Sequence, residues 1–160
     1  RYLMEIAGEK PHEVLNSIHF GSVFPNRSLI TTVHKLPDGS TVSDWHTYAV
    51  EWEPGEIRFF VDDIQTRTFE HWWSCSKTKN GLGLQARRAA DINAWPAPFD
   101  QPFYLVMNVA VGGNFPGAPN AQTKFPAELV VDYVRVYDKV GGYGKTKPIG
   151  KGKFPWQKKS

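Results

Sequence analysis

Residues 47–69 read TYAVEWEPGEIRFFVDDIQTRTF, and the turn residues inside this stretch decide the fold class. Pro54-Gly55 joins a residue whose φ is pre-set to one that reaches positive φ freely, and Asp62-Asp63 pairs two residues that tolerate the left-handed region. The two pairs cut the stretch into three short segments rich in Val, Ile, Tyr, Phe and Thr, the composition of hairpin strands. Outward from it the same grammar continues. In EVLNSIHFG (13–21), Leu15, Ser17 and His19 alternate with Val14, Asn16, Ile18 and Phe20, the period-2 pattern of a strand. FYLVMNVAVGG (103–113) is a near-continuous apolar run, as expected of a strand covered on both faces. ELVVDYVRVYD (128–138) predicts a further strand. No stretch carries a sustained i, i+3, i+4 apolar stripe, and the best helical candidate, Leu84 to Ala90, is short.

Two long irregular segments interrupt the strands. One runs from about His71 to Gln101 and holds Trp72, Trp73 and Trp95; the other, GGNFPGAPNAQTKFP (112–126), is dense in Gly, Pro and Asn. Loops of this length in a compact domain usually carry function. Trp45 and Trp52 fall in the strand-rich part and read as core. Many short strands, Gly/Pro turns and no helices together predict an all-β, two-sheet sandwich.

Composition narrows the function classes. The chain has 160 residues, 41% hydrophobic and 14% aromatic, enough for one domain with a real core. No run of about 18 apolar residues occurs, so no membrane span is expected. Cys75 is the only cysteine, which excludes an intramolecular disulfide and argues against a cysteine-based metal site. Residues 139–160 contain seven lysines and no acidic residue; removing them from the net charge of +3 leaves −4 on residues 1–138. The basic charge therefore sits on a tail, not on the body, and a nucleic-acid footprint is not expected. With five glycines from Gly141 onward, residues 140–160 read as a basic, largely unstructured tail on a domain of residues 1–139. Asn26-Arg27-Ser28 fits the N-glycosylation triplet, a pattern that also arises by chance.

Glu5 sits within the apolar run Leu3, Met4, Ile6, Ala7. A carboxylate in such a strand costs free energy unless it is paired or used. Four stretches bear on its role: MEIAGEKPHEVLNSIHFG, DWHTYAVEWEPGEIRFFVDD, PFDQPFYLVMNVAVGGNFPGAPN and FPAELVVDYVRVYDK. Together, in this order, they resemble the second half of a laminarinase-type glycoside hydrolase of family 16. The resemblance implies a β-jelly roll of two curved antiparallel sheets with a glycan cleft across the concave face, the N-terminal strands lying outside this chain. It implies retaining hydrolysis of internal bonds in β-1,3-glucans, a secreted or extracellular setting, and no cofactor needed for catalysis.

The family's catalytic strand reads Glu-x-Asp-x-x-Glu, for nucleophile, supporting Asp and acid/base. Alignment on MEIAGEKP places the acid/base at Glu5 and the supporting Asp at Tyr2, with the nucleophile just before Arg1. The five-residue spacing works because a bulge absorbs one residue and returns both Glu side chains to one face. A retaining mechanism needs the two carboxyl groups about 5–5.5 Å apart. A shorter pattern, Glu-x-Asp-x-Glu, would put the nucleophile at Glu5, the acid at Glu9 and Ala7 at the Asp position. GEKPHEV matches the family's loop only in the first register, and Glu9 beside Lys10-Pro11 reads as a turn residue.

The same resemblance implies further roles. His19 would orient the carboxylates from the neighbouring strand; the plain alternative is a half-exposed strand histidine. Trp72, Trp73 and Trp95 are candidate sugar-stacking platforms, with packing under a long loop as the alternative. Asn114 and Phe115, in GGNFPG, are further substrate-binding candidates, and Phe115 falls where relatives often carry Trp at the cleft rim. Asp132 falls where relatives bind a structural calcium, against the alternative of a paired structural carboxylate; calcium would need six to eight oxygens. A non-catalytic β-glucan-binding or extracellular structural protein on the same fold is the competing class, and Tyr2 at the Asp position favours it. Association with an upstream segment or another chain would complete the sandwich.

Overall fold

The structure, a computed structural model, describes residues 2–5, 9–75, 78–79, 82–83, 86–114 and 117–157. It is all-β, as the turn grammar requires. Two three-stranded antiparallel sheets are built from β1 (Tyr2–Glu5), β2 (Glu13–Gly21) and β3 (Arg27–Lys35), and from β4 (Tyr48–Glu53), β5 (Glu56–Val61) and β6 (Ile64–Phe69). A two-residue pair, β7 (Thr78–Lys79) and β8 (Leu82–Gly83), and one 3-10 turn at Ala89–Asp91 complete the regular elements among the described residues. This is the two-sheet antiparallel arrangement expected of a jelly-roll sandwich.

Both hairpin turns of the second sheet fall where the sequence puts them. Glu53 pairs with Glu56 across Pro54-Gly55, and Gly55 has φ +90°. Val61 pairs with Ile64 across Asp62 and Asp63, whose φ values are 49° and 64°. Two consecutive positive φ values define the primed turn whose twist matches the flanking strands.

The core forms where the two sheets face each other. Ile18 and Phe20 of β2 meet Ile57 and Phe59 of β5, with Phe69, Trp72, Trp73, Phe99 and the free thiol of Cys75 around them, all buried. Val14 and Val61 extend the contact toward Leu36. β6 carries a bulge: Phe59 pairs with Arg67 and Phe60 with Gln65, leaving Thr66 without a ladder partner. The Thr66 hydroxyl donates to the carbonyl of Phe59 at 3.2 Å and accepts from the Asn16 amide at 2.7 Å, joining the two sheets. The other face of β2–β3 is open, with Leu29 and Val33 about half exposed.

Several expectations are corrected. Residues 103–113 and 128–138 form no ladder among the described residues, and most of their large apolar side chains are exposed, Tyr104 at 87% and Val136 at 90%. Strand composition expresses only a fit to a half-buried pleated surface; without a neighbouring strand and a covering layer it does not make a strand. Trp45 is exposed at 71%, not core, whereas Trp52 packs on the core and donates its indole N–H to the Phe99 carbonyl at 3.0 Å. Of the short helical candidate, Leu84 and Gln85 lie outside the described residues, and its end contributes only to the 3-10 turn. Nothing local marks β3 in the sequence, because Leu29, Ile30 and Val33 put apolar residues on both parities and hide the period.

Among the described residues the tail lacks regular structure but is not loose. The Lys147 N–H donates to the Pro54 carbonyl at 2.9 Å, and Trp95 donates to the Lys147 carbonyl at 2.7 Å. The Lys147 ammonium reaches Glu56 at 2.6 Å. The Gly150 N–H donates to the Glu70 carbonyl at 2.6 Å, and Phe154 and Trp156, stacked 4.8 Å apart, pack on the core. Gly55 is required where this segment crosses: a Cβ there would lie 2.6 Å from the Lys147 carbonyl oxygen.

Candidate active site

β1 runs antiparallel to β2, with Leu3 opposite Ser17 and Glu5 opposite Leu15. Ladder parity places Glu5 in the same set of positions as Leu15, Ser17 and His19. The Glu5 side chain itself lies outside the described residues. Ser17 and Thr31 exchange a hydroxyl hydrogen bond at 2.9 Å across β2–β3, and His19 stands opposite Leu29.

His19 is half-buried and lines an open pocket of about 560 Å³ whose polar lining includes Arg27, Ser74, Asn93 and Asp100. The long loop after β6 supplies the far wall. It is tied to the end of β2 by two backbone bonds of 2.8 Å, Gly21 N–H to the Trp73 carbonyl and Cys75 N–H to the Gly21 carbonyl. Gly21, at φ +94°, is needed for this close approach. A Cβ there would sit 3.0 Å from the Trp73 ring and 3.2 Å from the Ser28 nitrogen. Asn93 then locks the wall, donating its N–H to the Ser74 carbonyl at 2.8 Å and its amide to the Ser74 hydroxyl at 3.0 Å. An imidazole, a guanidinium, a carboxylate, a hydroxyl and an amide around one cavity suit recognition of a polyhydroxylated ligand.

The family model described as Glycosyl hydrolases family 16 matches residues 4–97, more than half of the chain. The chain belongs to glycoside hydrolase family 16. It is 39% identical over 84% of its length to a glucan endo-1,3-beta-glucosidase A1 of Niallia circulans, of which it covers 18%. It is equally similar to a beta-glucanase of Rhodothermus marinus, again over 84% of the chain and covering 43% of that protein. A beta-1,3-glucan-binding protein of Penaeus monodon is 31% identical over 61% of the chain, which covers 27% of it. The chain thus spans less than half the length of these relatives. No solved structure matches it.

Within the family-16 frame, the structure brings His19 to a pocket but sorts the aromatic candidates differently. Trp72 is 1% exposed, stacked on Trp95 at 4.4 Å, edge-on to Phe99 at 5.0 Å, and bonded through its N–H to the Pro96 carbonyl at 2.7 Å. Trp73 is 4% exposed and edge-on to Phe20 at 6.1 Å. Both are placed as packing residues rather than stacking platforms. Trp95 is half-buried, with one face on Trp72, and none of the three lines the His19 pocket. Asn114 is exposed in an irregular stretch away from that pocket's lining, and Phe115 lies outside the described residues.

Asp132 is also exposed, and among the described residues no group of three or more His, Cys, Asp or Glu is placed to hold a metal ion.

Sequence reasoning missed the pocket roles of Arg27, Ser74, Asn93 and Asp100; for the last three the length of the loop between β6 and residue 101 was the only signal, and Arg27 stood out only within a glycosylation triplet. It also missed a titratable pair at the start of β4. His46 Nδ1 meets Asp62 at 2.6 Å and its Nε2 the Thr41 carbonyl at 2.9 Å. The Asp62 hydrogen bond is the main cause that raises the His46 pKa above its ordinary value, against opposing burial. Burial pushes Asp62 up, but the bonds from His46 and the Thr47 N–H, with the nearby histidine charges, bring it below the usual carboxylate value. This pair fastens a turn and lies outside the pocket lining.

Proposed function

We propose that the chain is the C-terminal part of a retaining endo-β-1,3-glucanase of family 16 acting outside the cell on laminarin-like glucans. What supports the reading most is the 39% identity to a glucan endo-1,3-beta-glucosidase over 84% of the chain. The ladder adds to it, since Glu5 and His19 occupy positions of one parity on paired strands. Glu5 would protonate the leaving glycosidic oxygen and then take a proton from water. A partner carboxylate, carried by residues that precede Arg1 in the whole protein, would attack the anomeric carbon and form the glycosyl-enzyme. His19 would hold the carboxylates in position.

The test uses the whole protein. Glu5→Gln should leave glucan binding nearly intact and lower turnover of laminarin by roughly 10²–10⁴-fold, the usual worth of a positioned acid/base. A substrate with a good leaving group needs no proton from Glu5, so its glycosylation step should lose much less. Equal loss for both substrates would overturn the assignment.

A second reading has its own support: Tyr2 occupies the supporting Asp position, and a beta-1,3-glucan-binding protein is among the relatives. On that reading the whole protein binds laminari-oligosaccharides without hydrolysing them. Absence of turnover with retained binding would establish it.

A further inference from the structure

A second cavity, of about 420 Å³, lies between β3, β6 and the docked tail, and it differs in charge from the His19 pocket. Arg67, Lys151 and Lys153 line it with His71, and Glu70 is its one carboxylate. The volume falls within the roughly 300–1,000 Å³ of small-molecule sites. The site is built rather than incidental. The Gly150 N–H bond to Glu70 fixes the tail's path. The ring nitrogens of His71, a residue 9% exposed, lie 3.3 Å from the Gly150 carbonyl and 3.4 Å from the Lys153 carbonyl. Phe154, edge-on to His71 at 5.0 Å and stacked on Trp156 at 4.8 Å, adds an aromatic wall. The Arg67 guanidinium sits 5.4 Å from the Phe69 ring centre, which orders its plane.

We propose that β6 and the docked tail form a binding pocket for an anionic saccharide, with Arg67, Lys151 and Lys153 taking a sulfate or carboxylate substituent and Phe154 lending an apolar wall. Three cations against one carboxylate select an anion. A guanidinium is the group best shaped to hold a planar or tetrahedral oxyanion through two parallel N–H bonds. The aromatic wall and the amide of Gln157 suit a pyranose bearing the charge, more than a bare ion. The site is independent of the hydrolytic reading.

The experiment measures binding of a sulfated tetrasaccharide and its desulfated counterpart to the whole protein by calorimetry. The sulfated form should bind and the desulfated form bind at least tenfold more weakly. Arg67→Gln and Lys151→Gln, both at exposed positions, should each weaken binding at least fivefold, with laminarin binding and turnover unchanged. Equal binding of both sugars would overturn the proposal. So would loss on deleting residues 139–160 with no effect of Arg67→Gln, since the tail would then act as a plain polycation. Full competition by inorganic sulfate at matched concentration would reduce the pocket to an anion site and overturn the saccharide assignment. Loss of laminarin turnover in these variants would show that the pocket belongs to the catalytic cleft and would equally overturn it.

Discussion

Asn16 of β2 donates its side-chain amide to the hydroxyl of Thr66 on β6 at 2.7 Å, and Asn16 is completely buried. The bond crosses the sandwich at the one position where β6 bulges, so the extra residue supplies an inter-sheet tie instead of a ladder pair. Thr66→Val keeps the shape and removes the hydroxyl, leaving a buried amide without its partner. The expected loss is about 1–3 kcal/mol in denaturant unfolding of the whole protein. Asn16→Leu combined with Thr66→Val removes both polar groups and should cost less than the sum of the single changes. Strict additivity in the double-mutant cycle would show that the bond contributes nothing.

The His46–Asp62 pair predicts a pH signature. His46 is raised above 6.5 in the folded state, so its contribution is complete below that value and is lost as pH rises through the higher folded pKa. Asp62 is lowered from 3.8, so its contribution is present above that value and is lost as pH falls through the lower folded pKa. The pair therefore stabilises most between about pH 4 and 6.5. Asp62 is 41% exposed at its side chain, which keeps the effect to a surface-pair size of about 0.2–1 kcal/mol. Asp62→Asn should flatten the fall in Tm between pH 6 and 8; an unchanged slope would count against the pair.

Arg58 gathers three carboxylates on the β4–β5 hairpin. It bonds Glu51 at 2.7 Å and Glu53 at 2.5 Å, and contacts Glu56 as well. The Arg58 hydrogen bond, helped by Lys139, holds Glu53 down to about 2. With a folded pKa below the ordinary 4.5, Glu53 contributes stability above that value and loses it as pH falls toward 2. Arg58→Met should thus destabilise clearly at pH 7, where three carboxylates are left facing each other, and much less at pH 2.5. Equal destabilisation at both pH values would mean that lost packing of the Arg58 stem, not charge, is responsible.

How much of this was legible follows from the range of each signal. β2 and the β4–β6 sheet were readable because period-2 alternation and the pairs at 54–55 and 62–63 are local. Long-range placements were not. Nothing near Lys147 announces a contact with Glu56, 91 residues earlier, so a glycine- and lysine-rich tail looked loose although its backbone is tied down. Trp72 and Trp73 show the same limit, since an indole that packs and an indole that stacks on sugar look alike in sequence. The pocket around His19 needed Ser74 and Asn93 to meet through a loop, which no spacing encodes. Glu5 was legible as a ladder position through its neighbours, and its role rests on the strand it shares with them.

The exposed apolar runs carry the last prediction. Leu105 and Val106 are each 66% exposed, and Val111 and Val130 62% each, and the edge strands β3, β4 and β6 have no further strand partner among the described residues. Exposed apolar surface and unpaired strand edges each promote association. The 160-residue chain expressed alone should therefore self-associate in a concentration-dependent way in analytical ultracentrifugation and bind a hydrophobic dye. Supplying the upstream segment of the whole protein should suppress both, because residues 103–111 and 129–137 would then gain strand partners and a covering layer. Replacing Val106 and Val130 by Thr should lower association of the isolated chain by reducing the apolar patch while keeping β propensity. A monodisperse monomer with a sharp cooperative melt from the isolated 160 residues would show that these runs are already paired in solution, and that the sandwich closes without help.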